Sequence, residues 1–350
     1  RGDTLWSIAR QFGVSVNTVV EANGIEDLPH LVIGQGLIIP EEARAYVIRP
    51  GDSLWSVARR FGTTVERLAV YNRITNPALI YPGLEIRIPN ESKNYGYMEI
   101  NAYVEHETGE AAVGFVEEAA PYLTYISPFS YQVNEDGTLN NINDEAIIQV
   151  ARDNNVAPLM IITNFRNGNF DTQLAHTILS NETIQQNLIN NVISNMRNKG
   201  YFGLNIDFER VSPADRQLYN NFLRRITTQL HSNNFVVSTA LAPKTTDVTT
   251  GAWHGAHDYR AHGEIVDFVI LMTYEWGWSG GPPMAVAPIN EVAKVLNYAV
   301  SVIPRNKIMV GAPLYGYDWS LPYTPGGEWA RRISPDEAVR LAANVGAEIQ

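Results

Sequence analysis

The chain contains no cysteine, which removes disulfides, thiol nucleophiles and cysteine-ligated metals from consideration. It has no run of eighteen apolar residues, and its first residues lack the basic, then apolar, then small-residue order of a secretory leader. Neither a membrane span nor a targeting segment is therefore read. Position 1 is Arg and not Met, so an upstream piece is expected. Positive charge is scarce: 26 Lys and Arg against 37 Asp and Glu give a net charge of -11, which argues against nucleic acid as a partner. Of seven histidines, His254, His257 and His262 cluster, but their spacing fits no helix-borne ligand pair. They read as a polar loop, and neither a metal nor a cofactor is expected. What remains is 350 residues, 45% hydrophobic and 18% charged, the composition of a globular protein of two or three domains. It is expected to act as a monomer.

An internal repeat opens the chain. Gly2-Asp3-Thr4-Leu5-Trp6-Ser7-Ile8-Ala9-Arg10 recurs 49 residues later as Gly51-Asp52-Ser53-Leu54-Trp55-Ser56-Val57-Ala58-Arg59. The register then holds without a gap, pairing Phe12-Gly13 with Phe61-Gly62, Asn23 with Asn72 and Pro40 with Pro89. In each copy Asp-Thr/Ser is a helix cap ahead of apolar residues at helical spacing, and in the second Gly62 ends that helix. A second short helix (Val65–Tyr71) and a closing strand (Leu84–Ile88) follow. With Tyr46-Val47-Ile48 as an opening strand, the second copy reads strand, helix, helix, strand. The first lacks its opening strand.

This pattern resembles the LysM module, a small β-α-α-β domain that binds glycans containing N-acetylglucosamine, such as peptidoglycan and chitin. In that family the sugar lies between the loop after the first strand and the loop before the last. The resemblance implicates Gly2, Asp3 and Thr4 with Leu31–Ile33, and Gly51, Asp52 and Ser53 with Leu79–Tyr81. The same Gly-Asp-Thr/Ser segment is also explained by helix capping alone.

After a short polar linker, Asn90–Asn94, strand-like and helix-like runs alternate. The strands are Tyr97–Val104, Leu123–Val133, Pro158–Phe165, Phe202–Glu209, Phe235–Leu241, Asp267–Glu275 and Lys307–Tyr315. The helices are Val113–Ala120, Asp144–Asn154, Ile184–Lys199, Asp215–Ser232, Tyr259–His262, Asn290–Ile303 and Ser334–Asn344. This order implies a parallel sheet and suits a (β/α)8 TIM barrel, with seven strands found and an eighth beyond Gln350 or misassigned. The expected domains are 1–41, 45–90 and 96–350.

Within the barrel, Tyr201–Arg210 stands out. Successive strand side chains point to opposite faces, so Leu204, Ile206 and Phe208 go one way while Gly203, Asn205, Asp207 and Glu209 go the other. Three polar groups along an apolar strand either line a cavity or mark a solvated edge; buried Ile206 and Phe208 favour the cavity. Asn164, Tyr274-Glu275-Trp276, Tyr315 and Tyr317 lie at the ends of other strands, where a barrel does its chemistry. Gly277-Trp278-Ser279-Gly280-Gly281 fits a serine nucleophile elbow, but that elbow must enter a helix and Pro282-Pro283 follows at once. Trp276, Trp278, Tyr315, Tyr317 and Trp319 read either as core aromatics or as platforms for sugar faces.

The strand Phe202-Gly203-Leu204-Asn205-Ile206-Asp207-Phe208-Glu209 resembles the signature of the family 18 glycoside hydrolases, Asp-Gly-x-Asp-x-Asp-x-Glu. Met272-Thr273-Tyr274-Glu275 is similar to that family's Met-x-Tyr-Asp, and Gly311-Ala312-Pro313-Leu314-Tyr315-Gly316 to its seventh strand. The first two Asp positions of the signature are Phe202 and Asn205 here, and Phe202 is expected to face the helices. The resemblance implies retaining hydrolysis with the substrate's own N-acetyl group as nucleophile. Glu209 is then the general acid and base, Asp207 the orienter of the acetamido group, Tyr274 its second partner, and Asn205 the neutral replacement behind Asp207. Asn164, Met272, Glu275, Trp276, Tyr315 and Tyr317 are the implied substrate contacts. Because Asn205 cannot share a proton, Asp207 is expected to stay ionised, with the Asn205 amide donating to it.

Tandem LysM modules ahead of such a barrel are similar to the glycosidases that cut cortex fragments in germinating bacterial spores. The implied activity is cleavage of β-1,4 bonds at N-acetylglucosamine in peptidoglycan, outside the cytoplasm, at the spore coat, cortex or cell wall. A chitinase on the same machinery, or an inactive wall-binding lectin, remains open.

Overall fold

A computed structural model of the chain describes residues 2–12, 14–25, 31–40, 44–72, 74, 76–77, 80–88, 98–105 and 110–348. The expected linker Asn90–Asn94, Leu79 and Tyr97 lie outside them. The chain divides into two compact units, Arg1–Tyr97 with Ile333–Gln350, and Met98–Arg332.

In the first unit α1 (Leu5–Phe12) and α2 (Val16–Asn23) pack Leu5, Ala9 and Val19 into a small core. The second copy runs β1 (Arg44–Val47), α3 (Leu54–Arg60), α4 (Val65–Tyr71) and β2 (Glu85–Ile88), with β1 and β2 antiparallel. Tyr46, Ile48, Leu54, Val57, Leu68, Ile86 and Ile88 fill its core. The repeat extends to the hydrogen bonds. Thr4 and Ser7 exchange side-chain and backbone bonds at the start of α1, as Ser53 and Ser56 do at the start of α3. Asn23 donates to Val19 O and Ile38 O and accepts Ile38 N–H; Asn72 does the same with Leu68 O, Arg87 O and Arg87 N–H. Each Asn thus ties the second helix to the closing segment. The first copy forms no strand among its described residues.

The second unit is the α/β barrel. Its elements are β3 (Asn101–Glu105), α5 (Glu110–Ala119), β4 (Tyr125–Phe129), β5 (Tyr131–Gln132), α6 (Glu145–Asp153), β6 (Ala157–Thr163), the hairpin of β7 (Phe165–Arg166) and β8 (Asn169–Phe170), α7 (Thr172–Leu179), α8 (Glu182–Lys199), β9 (Gly203–Asp207), α9 (Arg216–His231), β10 (Val236–Leu241), α10 (Tyr259–Ile265), β11 (Phe268–Leu271), α11 (Ile289–Val302) and β12 (Ile308–Val310). A hairpin of β13 (Gly316–Asp318) and β14 (Arg331–Ile333) follows; α12 (Pro335–Val345), capped by Ser334, belongs to the first unit.

The seven expected strands pair in the order β12-β11-β10-β9-β6-β4-β3, all parallel, and β5 adds to β6. The sheet is a curled half-barrel, and no eighth barrel strand lies among the described residues. Leu204, Ile206 and Phe208 join the main core with Leu188, Val192, Phe222, Leu223 and Ile226 from α8 and α9. At the foot of β9, buried Asp144 accepts from Lys199, Tyr131 and Tyr201, fixing the entry to the strand.

Three expectations need correction. Phe202 is 46% exposed, and its ring lies near Tyr125, a member of the interior cluster, instead of under the helices. His257 and His262 are buried, so only His254 fits the polar-loop reading. Helix α7 was not expected, although Asp171 caps it and Leu174, Ala175, Ile178 and Leu179 give it a buried stripe.

Candidate active site

Strand β9 delivers Asn205 and Asp207 to the barrel interior, where Asn205 lies in register with Ile161 of β6 and Ser238 of β10. Glu209 follows two residues beyond Asp207, and the chain then turns at Arg210 with φ 52. The main chain of Glu209 is held tightly. Asn164, wholly buried at the end of β6, donates to Glu209 O at 2.8 Å and accepts its N–H at 2.9 Å. His257 accepts Ala242 N–H on Nδ1, which leaves Nε2 to donate to Phe208 O at 3.0 Å. Burial pushes this imidazole down to about 4, so it is neutral, as its bonds require.

Asp207 is buried, and its Oδ1 has no hydrogen-bond partner. Burial first and the charge of Glu209 second push its carboxyl well above the usual range. Burial thus works against the expectation that Asp207 stays ionised. Burial raises Glu209 too, opposed by an indole N–H and by Arg210. A buried carboxyl and a half-buried one in mutual influence favour holding one proton between them. Asn205 does not donate to Asp207 as expected; its amide donates to Ser238 Oγ at 2.9 Å and accepts from the Tyr103 hydroxyl at 3.3 Å. The amide fills a hydrogen-bonded slot behind Asp207 without adding a charge.

Tyr274 packs with Trp253 against Ala240, Ala242 and Met272. A side chain at Gly311 would meet the Tyr274 ring at 2.8 Å and Leu271 O at 2.7 Å, so the glycine of the seventh strand makes room for this tyrosine. Burial, then Asp207 and Glu209, raise the Tyr274 hydroxyl far above its ordinary value and keep it a hydrogen-bond donor. Met272 is buried in the same interior cluster. Glu275, at φ 67, accepts from the hydroxyls of Tyr315 and Tyr317, the latter at 2.9 Å. Tyr315, Tyr317 and Trp319 continue edge to face from there. Trp276 packs on the main core, while Trp278 meets Trp329 at the surface. The structure thus brings Asn205, Asp207, Glu209 and Tyr274 to one mouth and sets Glu275, Tyr315 and Tyr317 together at its rim. Asn164 is behind the site, with its amide on backbone groups.

Sequence reasoning missed Trp253, whose Nε1–H donates to Glu209 Oε2 at 2.7 Å, and Tyr103, Ser238 and His257. None stands in a motif. Trp253 lies in an irregular loop whose only signals were Gly251 and Gly255 on either side of an aromatic.

In the modules, Thr4 and Ser53 are helix caps. Asp52 accepts from Tyr46 and Arg49, and Gly2 and Gly51 take positive φ of 83 and 88. Asp3 is exposed. Val32 turns with Gln35; Ile33 and Tyr81 are exposed.

A barrel whose fourth strand ends in Asp-x-Glu over an interior tyrosine defines a class of glycosidase. Residues 97–342 match glycosyl hydrolases family 18, and residues 1–40 and 46–89 match the LysM domain. The chain belongs to glycosyl hydrolases family 18. It is 49% identical to the cortical fragment-lytic enzyme of Bacillus subtilis (strain 168), over the whole of this chain and 81% of that one. Among solved structures it is similar to the spore cortex-lytic enzymes SleL of Bacillus megaterium QM B1551 and Bacillus cereus. Their TM-scores are 0.82 and 0.81 at 39% and 38% identity, each match covering all of this chain and 81% of the other.

Proposed function

We propose that the chain hydrolyses β-1,4 bonds at N-acetylglucosamine in spore cortex peptidoglycan fragments, by a retaining reaction in which the substrate's acetamido oxygen attacks the anomeric carbon. The observation that carries this reading is the Asp207–Glu209 pair, one carboxyl buried and the other half-buried, both raised above their usual range and within electrostatic reach of Tyr274. Glu209 protonates the departing glycosidic oxygen and later takes a proton from water. Asp207 takes the acetamido N–H, turns its carbonyl toward the anomeric carbon and offsets the positive charge of the cyclic intermediate. Tyr274 donates to the same group from the other side. Glu275, Tyr315, Tyr317 and Trp276 form the sugar-contacting rim.

Residues 1–41 and 45–90 act as glycan-binding modules and 96–350 as the catalytic domain, a monomer working outside the cytoplasm. Two weak sites on one chain raise the effective concentration of substrate at the barrel. The names of the similar enzymes and the two module matches support the cortex as target. The test is incubation with cortex fragments and with chitin oligomers, followed by identification of the new reducing ends. N-acetylglucosamine ends from cortex are expected; turnover of chitin alone would make the protein a chitinase. Glu209→Gln keeps shape and loses the transferable proton, so it should cost on the order of 10²–10⁴ in rate and leave sedimentation with wall material unchanged.

A further inference from the structure

Trp253 sits at the centre of an irregular loop between β10 and α10. The loop is pinned at both ends of its turn. Gly255 N–H donates to Gly251 O, Ala242 N–H and Phe208 O are bridged by His257, and a side chain at Gly255 would strike Gly251 O and Pro213, each at 2.8 Å. The indole is half-buried against Ala240, Ala242, Met272 and Tyr274, and its N–H points at one oxygen of Glu209.

We propose that Trp253 is a catalytic residue of this glycosidase, one that assigns the transferable proton to Glu209 Oε1 and stabilises the charge that Glu209 acquires when it gives that proton away. The inference rests on the reading of Glu209 as general acid. An indole nitrogen can only donate. Its bond to Oε2 therefore leaves Oε1 as the oxygen that carries the acid proton. When that proton passes to the glycosidic oxygen, Glu209 becomes a carboxylate and the bond becomes charge-assisted, roughly twice as strong as before. The interaction is stronger in the transition state than in the ground state, which is the condition for raising kcat. In the second half of the reaction the same bond relaxes as Glu209 takes a proton from water, so the indole is not consumed.

The other charged or titratable groups acting on Glu209 are Asp207 on its own strand, Arg210 beside it, Tyr219 of α9, Tyr274 and Glu275 after β11, and Tyr103 of β3. The Trp253 N–H favours the ionised carboxyl, so its removal must move the titration of Glu209 upward.

The test is Trp253→Phe in the whole chain, alongside Glu209→Gln, on the glycan substrate that the wild type cleaves. Trp253→Phe should lose on the order of 10- to 100-fold in kcat, comparable to or below the loss of one oxyanion donor, with KM within about twofold. The alkaline limb of its pH–rate profile should move to higher pH. A KM increase with a superimposable pH profile would make Trp253 a sugar platform and overturn the proposal. A readout that needs no folded variant at position 253 comes from the indole 15N–1H resonances. In the wild type one of them should titrate with the alkaline limb and cease to do so in Glu209→Gln; if no indole resonance titrates, the proposal falls. Should Glu209→Gln itself retain wild-type turnover, it is the assignment of the acid that has failed.

Discussion

Asn164 holds the backbone of Glu209 from both sides, its amide nitrogen donating to the carbonyl at 2.8 Å and its amide oxygen accepting the N–H at 2.9 Å. The same nitrogen donates to Asp171 O at 3.0 Å, so the end of β6, the cap of α7 and Glu209 share one side chain. Asn164→Ala leaves two backbone groups of Glu209 without buried partners. Displacing a catalytic group by about 1 Å can cost on the order of 10² in rate. The variant is therefore expected to lose kcat on that scale with KM changed by less than about threefold. Steady-state kinetics decide it, since a rise in KM at constant kcat would restore Asn164 to the substrate contacts where sequence reasoning put it.

Asn205→Asp tests the neutral slot behind Asp207. The amide lies between Ser238 and Tyr103, buried and in register with both flanking strands. A carboxyl there is raised by burial and by Asp207, and it adds one proton to a set that already binds protons tightly. The last proton of three interacting carboxyls leaves at higher pH than the last of two. The added event should therefore appear on the alkaline limb of the pH–rate profile. Superimposable profiles for the variant and the wild type would show the slot to be electrostatically silent.

The seven barrel strands were legible because each is a short apolar run followed by polar or aromatic residues, and the candidate site because Asp207 and Glu209 alternate with Leu204, Ile206 and Phe208. The strands end earlier than the runs did: β11 stops at Leu271, not Glu275, since Tyr274 and Glu275 have left the ladder to face the mouth. Helix α7 carried its signal in full, with an Asp cap and paired apolar positions, but sat in a stretch taken for connection. Trp253 and Tyr103 were not legible, because they reach Glu209 and Asn205 across 44 and 102 residues of sequence. Periodicity reports the face a residue occupies, and a contact across the barrel depends on where other strands end.

The repeated Asn23 and Asn72 give the modules a common weak point. Each makes three hydrogen bonds to main-chain groups, tying helix to closing segment. Residues 1–92 expressed alone are expected to fold and to sediment with peptidoglycan. Within that fragment Asn72→Ala should destabilise the second module by about 0.5–1.5 kcal/mol, the range for losing ordinary, partly exposed hydrogen bonds. Urea unfolding followed by circular dichroism measures it. An unchanged midpoint would mean that the helices of the module are held by their apolar core alone.

Acid should weaken the barrel through its buried histidines. His257 is held neutral, accepting from Ala242 N–H and donating to Phe208 O, with a pKa pushed down to about 4, and His262 is lowered as well. An unfolded histidine titrates near about 6.5. Between those values the unfolded chain binds more protons than the folded one, so the stabilisation is complete above about pH 6.5 and is lost as pH falls toward 4, amounting to roughly 3 kcal/mol for His257. Asp207 and Glu209 act with the opposite sign, because a raised carboxyl favours the folded state as pH falls. Comparing His257→Gln with the wild type cancels their share. The variant should be less stable at pH 7 and show a flatter decline in unfolding midpoint from pH 6.5 to 4, with His262 supplying the slope that remains. Parallel declines would show that the imidazole bridging Ala242 and Phe208 is not the proton-sensitive group.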